Sequence, residues 1–260
     1  MSTAIVIPAR YASTRYPGKP LAELKGATGV SKTLIQRTWE AALEGAEGVP
    51  VFVATDDERI KSAAEGFGAD VIMTNPEARN GTERCADALQ HLEADVIVNV
   101  QGDAPLTPPS FVRAMIRAMD DPETQVATPV LRCDAETLAN FREDRANGRV
   151  GGTTAVFGAA MNALYFSKEV IPFVDGQPEP VPVFHHVGLY AYRRAALETY
   201  ASLAEGRLEK LEGLEQLRFL ENGLPVTCVE VEAKGRVFWE LNNPIDVERI
   251  ESVYAREGIQ

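Results

Sequence analysis

Three cations fall within ten residues near the start of the chain: Arg10, Arg15 and Lys19, with the hydroxyls of Ser13 and Thr14 between them. Guanidinium forks match phosphate oxygens two at a time, and an ammonium adds a point charge, so this spacing suits a polyphosphate. Pro17-Gly18 forces a turn in which backbone N–H groups can come close to a ligand. The plain alternative is a solvated loop with ordinary surface charges. Against it stand a formal net charge of −12 and a pI of about 4.8. A basic knot in an acidic chain points to a small anion, and the overall acidity argues against generic binding to nucleic acid or an anionic membrane.

Asp103 is the next residue that could do chemistry. It follows an apolar run, Val96-Ile97-Val98-Asn99-Val100, and the step Gln101-Gly102. A carboxylate there can hold Mg²⁺, which takes one or two protein carboxylates and fills its shell with phosphate oxygens and water. The alternative is a cap for the helix expected from Pro108, for which Asp103 sits too far upstream. Asn80-Gly81-Thr82-Glu83-Arg84 reads either as a plain helix start capped by Thr82 or as a contact loop. In the second reading the Gly81 and Thr82 backbone meets a nucleobase and Arg84 meets phosphate or the Asp103 carboxylate. His186 lies on an alternating stretch beside His185, Tyr190 and Tyr192, after a Pro- and Gly-rich segment, and suits a polar substrate pocket or a structural role. Glu215 and Gln216 interrupt a leucine pattern and are pocket residues or a solvated helix face.

The elements that must position these groups read as alternating strands and helices. Strands are expected at 4–7, 49–54, 69–73, 95–100, 125–131, 162–166, 183–192 and 225–231. Helices are expected at 33–43, 58–66, 85–92, 108–119 and 211–221, with a last one after Asn243-Pro244 running to about Arg256. The charged stretch 134–149 reads as a short helix with an exposed loop. Such alternation implies a mostly parallel sheet with helices on both faces, whose ligands bind beyond the carboxyl ends of the strands. The basic loop, 80–84 and 101–105 all fall at that rim.

At 260 residues with 45% hydrophobic content, the chain suits a single domain over 1–260 with a sizeable core. No apolar run reaches membrane-spanning length and no signal-peptide pattern is seen. Cys85, Cys133 and Cys228 form no CxxC, and the three histidines form no zinc motif. These features read as a cytoplasmic protein with reduced thiols.

The motifs resemble one family. Pro8-Ala9-Arg10-Tyr11-Ala12-Ser13-Thr14-Arg15 with Pro17-Gly18-Lys19-Pro20-Leu21 closely resembles the first loop of the 3-deoxy-manno-octulosonate (KDO) cytidylyltransferases, or CMP-KDO synthetases. Further matches follow in family order: Val53–Asp56, Gly81–Arg84, Val98–Asp103, Ala163–Ser167, His186–Arg193 and Leu214–Arg218. The resemblance implies a Rossmann-like nucleotide-diphospho-sugar transferase fold with a small dimerisation and sugar-binding extension, in a homodimer. It implies transfer from CTP to a 3-deoxy-2-keto sugar acid with Mg²⁺, supplying lipopolysaccharide or capsule precursors. By carry-over, Arg10, Ser13, Arg15 and Lys19 hold the phosphates. Ala9, Gly81, Arg84 and Gln101 serve the cytidine end, and Asp103 ligates magnesium. His186, Tyr190, Glu215 and Gln216 shape the sugar pocket.

Two positions depart from the family pattern. Asn242, in Leu241-Asn242-Asn243-Pro244-Ile245-Asp246, stands where the family has a second magnesium-binding Asp, so the metal should bind there more weakly unless Glu240 or Asp246 compensates. Thr154 stands where the family has Lys, which leaves the sugar open: a related keto acid such as amino-KDO is the alternative. Asn242 also feeds a different reading, a weakened nucleotide-binding regulatory homologue. A glycosyltransferase shares a strand-end Asp, but the basic first loop argues against it.

Overall fold

Apolar β-branched runs bounded by turn residues become buried parallel strands because helices shield both faces. The computed structural model describes residues 1–12, 16–150, 152–176 and 179–260. The chain divides into two compact units, one formed by Met1–Arg113 with Ala233–Gln260 and the other by Ala114–Glu232.

The first unit begins with β1 (Thr3–Ala9), a small antiparallel hairpin of β2 (Glu23–Lys25) and β3 (Ser31–Thr33), and α1 (Leu34–Gly45). β4 (Val51–Thr55), α2 (Glu58–Gly66), β5 (Asp70–Met73), α3 (Gly81–Ala88), β6 (Val96–Val100) and α4 (Pro109–Ala118) follow, and the unit boundary falls within α4. Its sheet is parallel throughout, in the order β5-β4-β1-β6. Ile5 lies opposite both Val51 and Val98, and every residue of β6 is buried. The helix starts follow sequence chemistry: Thr33, Asp57 and Asn80 each accept a backbone N–H of the first turn. Asn80, not Thr82, is thus the cap of α3, and that helix begins earlier than the sequence pattern predicts.

The second unit contains β7 (Val126–Arg132), α5 (Ala135–Ala146), β8 (Thr153–Phe157), β9 (Ala163–Ser167), β10 (Phe184–His186), β11 (Leu189–Arg193), α6 (Arg194–Ser202), α7 (Arg207–Glu212), α8 (Leu217–Glu221) and β12 (Thr227–Val231). β12 runs parallel to β7, whereas β10 and β11 pair with β7 antiparallel, and β8 joins β10 to β9 in the same sense. The expected strand 183–192 is two strands, and the expected helix 211–221 is α7 and α8 separated by a turn. Gly213 makes that turn with φ +61° while its N–H bonds Glu209 O. Cys133, Leu138, Phe141, Val181 and Val183 form a core cluster here.

The chain then returns to the first unit and ends in α9 (Asp246–Glu257). Leu241, Ile250, Val253 and Tyr254 pack with Leu24, Leu34 and Leu106. Arg37 donates to Leu24 O and Val30 O beneath the Tyr254 ring. All three cysteines are buried, and burial pushes Cys133 up to about 11 and Cys228 up to about 12, so both stay thiols. Among the described residues no helix is long and apolar enough to cross a membrane.

Candidate active site

Each strand of the first unit's parallel sheet delivers a polar residue at or just past its end. β1 ends at Ala9 and Arg10, β4 at Asp56, β5 at Thr74, and β6 at Gln101 and Asp103. Pro8, Ala9, Arg10, Lys19, Pro20, Asn80, Gly81, Arg84, Gln101, Gly102 and Asp103 line a cavity of about 220 Å³. Seven residues singled out from the sequence therefore meet here: Ala9, Arg10, Lys19, Gly81, Arg84, Gln101 and Asp103. Ser13 and Arg15 lie outside the described residues. Asn80, a turn residue in the sequence pattern, both caps α3 and lines the cavity.

Close backbone approach makes this convergence possible. A Cβ on Gly102 would sit 2.5 Å from Pro8 O, so only glycine lets the 101–103 turn lie against the end of β1. Thr38 donates to Gly102 O from beneath at 3.3 Å. Gln101 is steered by Asn99, whose side-chain oxygen accepts from Gln101 Nε2 at 3.4 Å.

Charge is unevenly shared. Arg10, Lys19 and Arg84 line the cavity with Asp103 as the lone carboxylate among its lining residues. Lys19 Nζ donates to Asp103 Oδ2 at 2.6 Å, both side chains being partly buried. Arg10 Nη1 donates to Arg79 O at 3.0 Å, and Arg79 is itself ion-paired with Glu83. Arg84, 2% exposed, takes its anion from Asp56 at 3.5 Å rather than from Asp103. Loss of hydration pulls the Arg84 guanidinium below its ordinary value; Asp56 opposes that shift and the Arg10 charge adds to it. A concave, net-positive rim of this kind attracts and holds an anion.

Asn242 does not line the cavity. The preceding Leu241 N–H donates to Asp103 O at 2.8 Å, which ties its segment to that turn. Asp246 accepts from Asn242 N, Asn243 N and Trp239 Nε1, so its carboxylate holds the turn before α9 together. Glu240 Oε2 accepts from Asn242 Nδ2 at 3.4 Å.

The remaining candidates lie in the second unit. His186 Nε2 is 2.9 Å from Thr128 Oγ1, whose own hydroxyl donates to Leu189 O at 2.8 Å. That geometry assigns the imidazole proton to Nε2. Burial, with the adjacent His185 adding to it, pushes His186 down to about 3, so the ring is neutral. His186 starts a line of rings: Phe166 and Tyr190 flank it, Tyr190 stacks on Tyr192, Tyr192 on Phe219, and Phe219 meets Tyr200. Tyr200 donates to Glu215 O at 3.3 Å, which brings the Glu215-Gln216 turn to the end of that line. Gln216 is 2% exposed and its Nε2 has no hydrogen-bond partner among the described residues, leaving a buried donor for a ligand oxygen. Thr154, buried in β8, donates to Glu169 O at 2.6 Å and accepts from Ile171 N. It ties β8 to the segment after β9, a structural task for the residue that replaces the family lysine.

Comparison with known proteins follows the same lines. The family described as Cytidylyltransferase matches residues 4–231, a range that runs through both units. A 3-deoxy-manno-octulosonate cytidylyltransferase from Maricaulis maris is 47% identical over 263 residues, covering 99% of each chain. An 8-amino-3,8-dideoxy-manno-octulosonate cytidylyltransferase from Shewanella sediminis is 40% identical over 229 residues, 87% of this chain and 89% of that one. The structure of a CMP:2-keto-3-deoxy-manno-octonic acid synthetase complexed with CTP superposes with a TM-score of 0.83 at 35% identity, covering 99% of this chain and all of the other. The fold is that of this synthetase, an α/β nucleotidyltransferase with a mixed sheet flanked by helices.

Proposed function

The chain belongs to the cytidylyltransferase family, and from that premise we propose that it couples CTP to KDO, releasing pyrophosphate. The observation that carries this reading is the convergence of Arg10, Lys19, Arg84 and Asp103 on one cavity at the carboxyl ends of a parallel sheet. The anomeric hydroxyl oxygen of the sugar bonds to the α-phosphorus of CTP. The bond from that phosphorus to the oxygen bridging the β-phosphate breaks, its electron pair leaves with pyrophosphate, and the hydroxyl proton passes to solvent. Such a reaction asks the protein mainly for alignment and for positive charge where phosphate oxygens gain negative charge.

In this reading Arg10 and Lys19 neutralise the triphosphate, joined by Ser13 and Arg15. Ala9, Gly81, Arg84 and Gln101 hold the cytidine end. His186 and Tyr190, with Glu215 and Gln216, position the sugar acid. A neutral His186, its one N–H used on Thr128, offers the sugar a hydrogen-bond acceptor at Nδ1 and is not the counter-ion of the sugar carboxylate.

Asp103 offers a carboxylate whose Oδ2 is shared with Lys19, and Asn242 a neutral amide oxygen on the adjacent segment. No group of three or more His, Cys, Asp or Glu among the described residues forms a ready-made metal cage. This donor set fits Mg²⁺ completed by phosphate oxygens and water. Asp103 would hold it, with Asn242 as a weaker second ligand; Asp246 is engaged by three donors and does not stand in for the missing carboxylate. When bound, the ion supplies charge neutralisation on the phosphates and a more acidic sugar hydroxyl. We further propose a cytoplasmic homodimer that feeds lipopolysaccharide or capsule assembly.

The test is pyrophosphate release with CTP, Mg²⁺ and KDO. Turnover that falls about a hundredfold or more in Asp103→Ala is the expected result. A second sugar belongs in the same assay, because the Shewanella relative, at 40% identity, acts by its name on the 8-amino acid. Preference for that sugar would reassign the substrate within the same chemistry. CTP binding without turnover on either sugar would favour the regulatory reading.

A further inference from the structure

Arg84 carries a buried charge whose two η-nitrogens have different surroundings. Nη1 donates to Thr74 Oγ1 at 2.5 Å and lies 3.5 Å from Asp56 Oδ1. Asp56 and Thr74 are the first residues beyond the adjacent parallel strands β4 and β5, and Thr74 N–H donates to Thr55 O at 2.8 Å, which fixes the two ends side by side. Nη2 is buried with no partner among the described residues, on a side chain that lines the cavity. A guanidinium is a rigid fork, so fixing one nitrogen sets the direction of the other. A buried cation also needs an anion nearby, and Arg10 adds repulsion instead.

We infer that Asp56, assisted by Thr74, is a positioning residue: it keeps the Arg84 guanidinium inside the sheet end and turns its unpartnered nitrogen toward an acceptor on the nucleotide. The inference rests on the proposed binding of CTP at this cavity. It differs from a purely structural ion pair, because Asp56 would then matter to nucleotide affinity only through Arg84. Its carboxylate is not among the residues lining the cavity.

The test is a double-mutant cycle on CTP affinity, measured by calorimetry on the full chain: wild type, Asp56→Asn, Arg84→Gln and the double variant, each with a thermal unfolding curve. Asp56→Asn is expected to weaken CTP binding about tenfold or more, and to add nothing once Arg84 is Gln. In turnover it should raise KM for CTP while kcat and the sugar KM stay within about twofold. Losses that multiply in the double variant, or an Asp56→Asn protein that binds CTP like wild type, would overturn the inference. Should Asp56→Asn fail to fold, Thr74→Val and Thr74→Val with Arg84→Gln form the cycle with the same expectations. Wild-type protein that binds no CTP would overturn both this inference and the reading beneath it, whereas wild-type binding with multiplying losses strikes this inference alone.

Discussion

The rim of the first unit and the ring line of the second are built from opposite materials. The rim places three cations and a carboxylate around a cavity, and ion pairs run through it: Lys19 with Asp103 at 2.6 Å, Arg84 with Asp56 at 3.5 Å. The line from Phe166 through His186, Tyr190, Tyr192 and Phe219 to Tyr200 is aromatic, buried and neutral. A charge pair beside it, Arg218 with Glu209 at 2.6 Å, is itself buried against the Tyr200 ring. The difference teaches what each region can give a reaction. A polyphosphate needs charge supplied from groups that stay partly hydrated, while a polyhydroxylated acid can be oriented by a few directional donors set in a rigid wall.

The sharpest way to break this comparison is to cut the buried pair. Arg218→Leu strands the Glu209 carboxylate inside the second unit, so it should cost about 3–5 kcal/mol of stability in denaturant unfolding. CTP affinity of the folded fraction should stay within about twofold. A large loss of CTP affinity at full folding would show that the two regions do not divide the work in this way.

Acid provides a milder cut. His186 has its folded pKa pushed from 6.5 to about 3, so the unfolded chain takes up a proton first as pH falls. Its contribution to stability is therefore whole above pH 6.5 and drains as the pH falls toward 3, by on the order of 2 kcal/mol at pH 5. His186→Phe should flatten that part of the stability–pH curve, followed by thermal unfolding between pH 7 and 4.5. An unchanged slope would place the titration elsewhere.

The smallest effect expected is at the rim. Asn242→Asp restores a charge beside the Asp103 turn and should tighten Mg²⁺ in the presence of CTP by about tenfold, read by metal titration of binding. No change would mean that position 242 does not reach the ion.

The rim was legible in the sequence because its signals are local. Apolar strands stop at glycine, proline and charge, and parallel connections bring those stops to one edge. The family pattern then named Arg10, Lys19, Gly81, Arg84, Gln101 and Asp103 as one set. Asp56 stands in the sequence as the end of the Val53–Asp56 family match with no role attached, because its pairing with Arg84 is set by strand order and not by spacing. The second unit was harder to read. The Phe184–Tyr192 run alternates through Val187-Gly188, where the chain changes from β10 to β11. Leu211, Leu214 and Leu217 keep a helical rhythm across a break that only the left-handed Gly213 reveals. α5 buries just Leu138 and Phe141 and so has no apolar stripe, which is why the charged stretch shows a short helix in the sequence but not its full 12-residue extent. α6 starts without a side-chain cap and was missed.

The most direct test of the charged-rim account is the ratio of CTP to cytidine affinity, measured by calorimetry on the wild-type chain with Mg²⁺ and on Lys19→Met. CTP should bind the wild type at least about a hundredfold more tightly than cytidine, with most of that gap lost in Lys19→Met while cytidine binding is unchanged. Equal affinity for the two ligands, or a gap untouched by Lys19→Met, would contradict it.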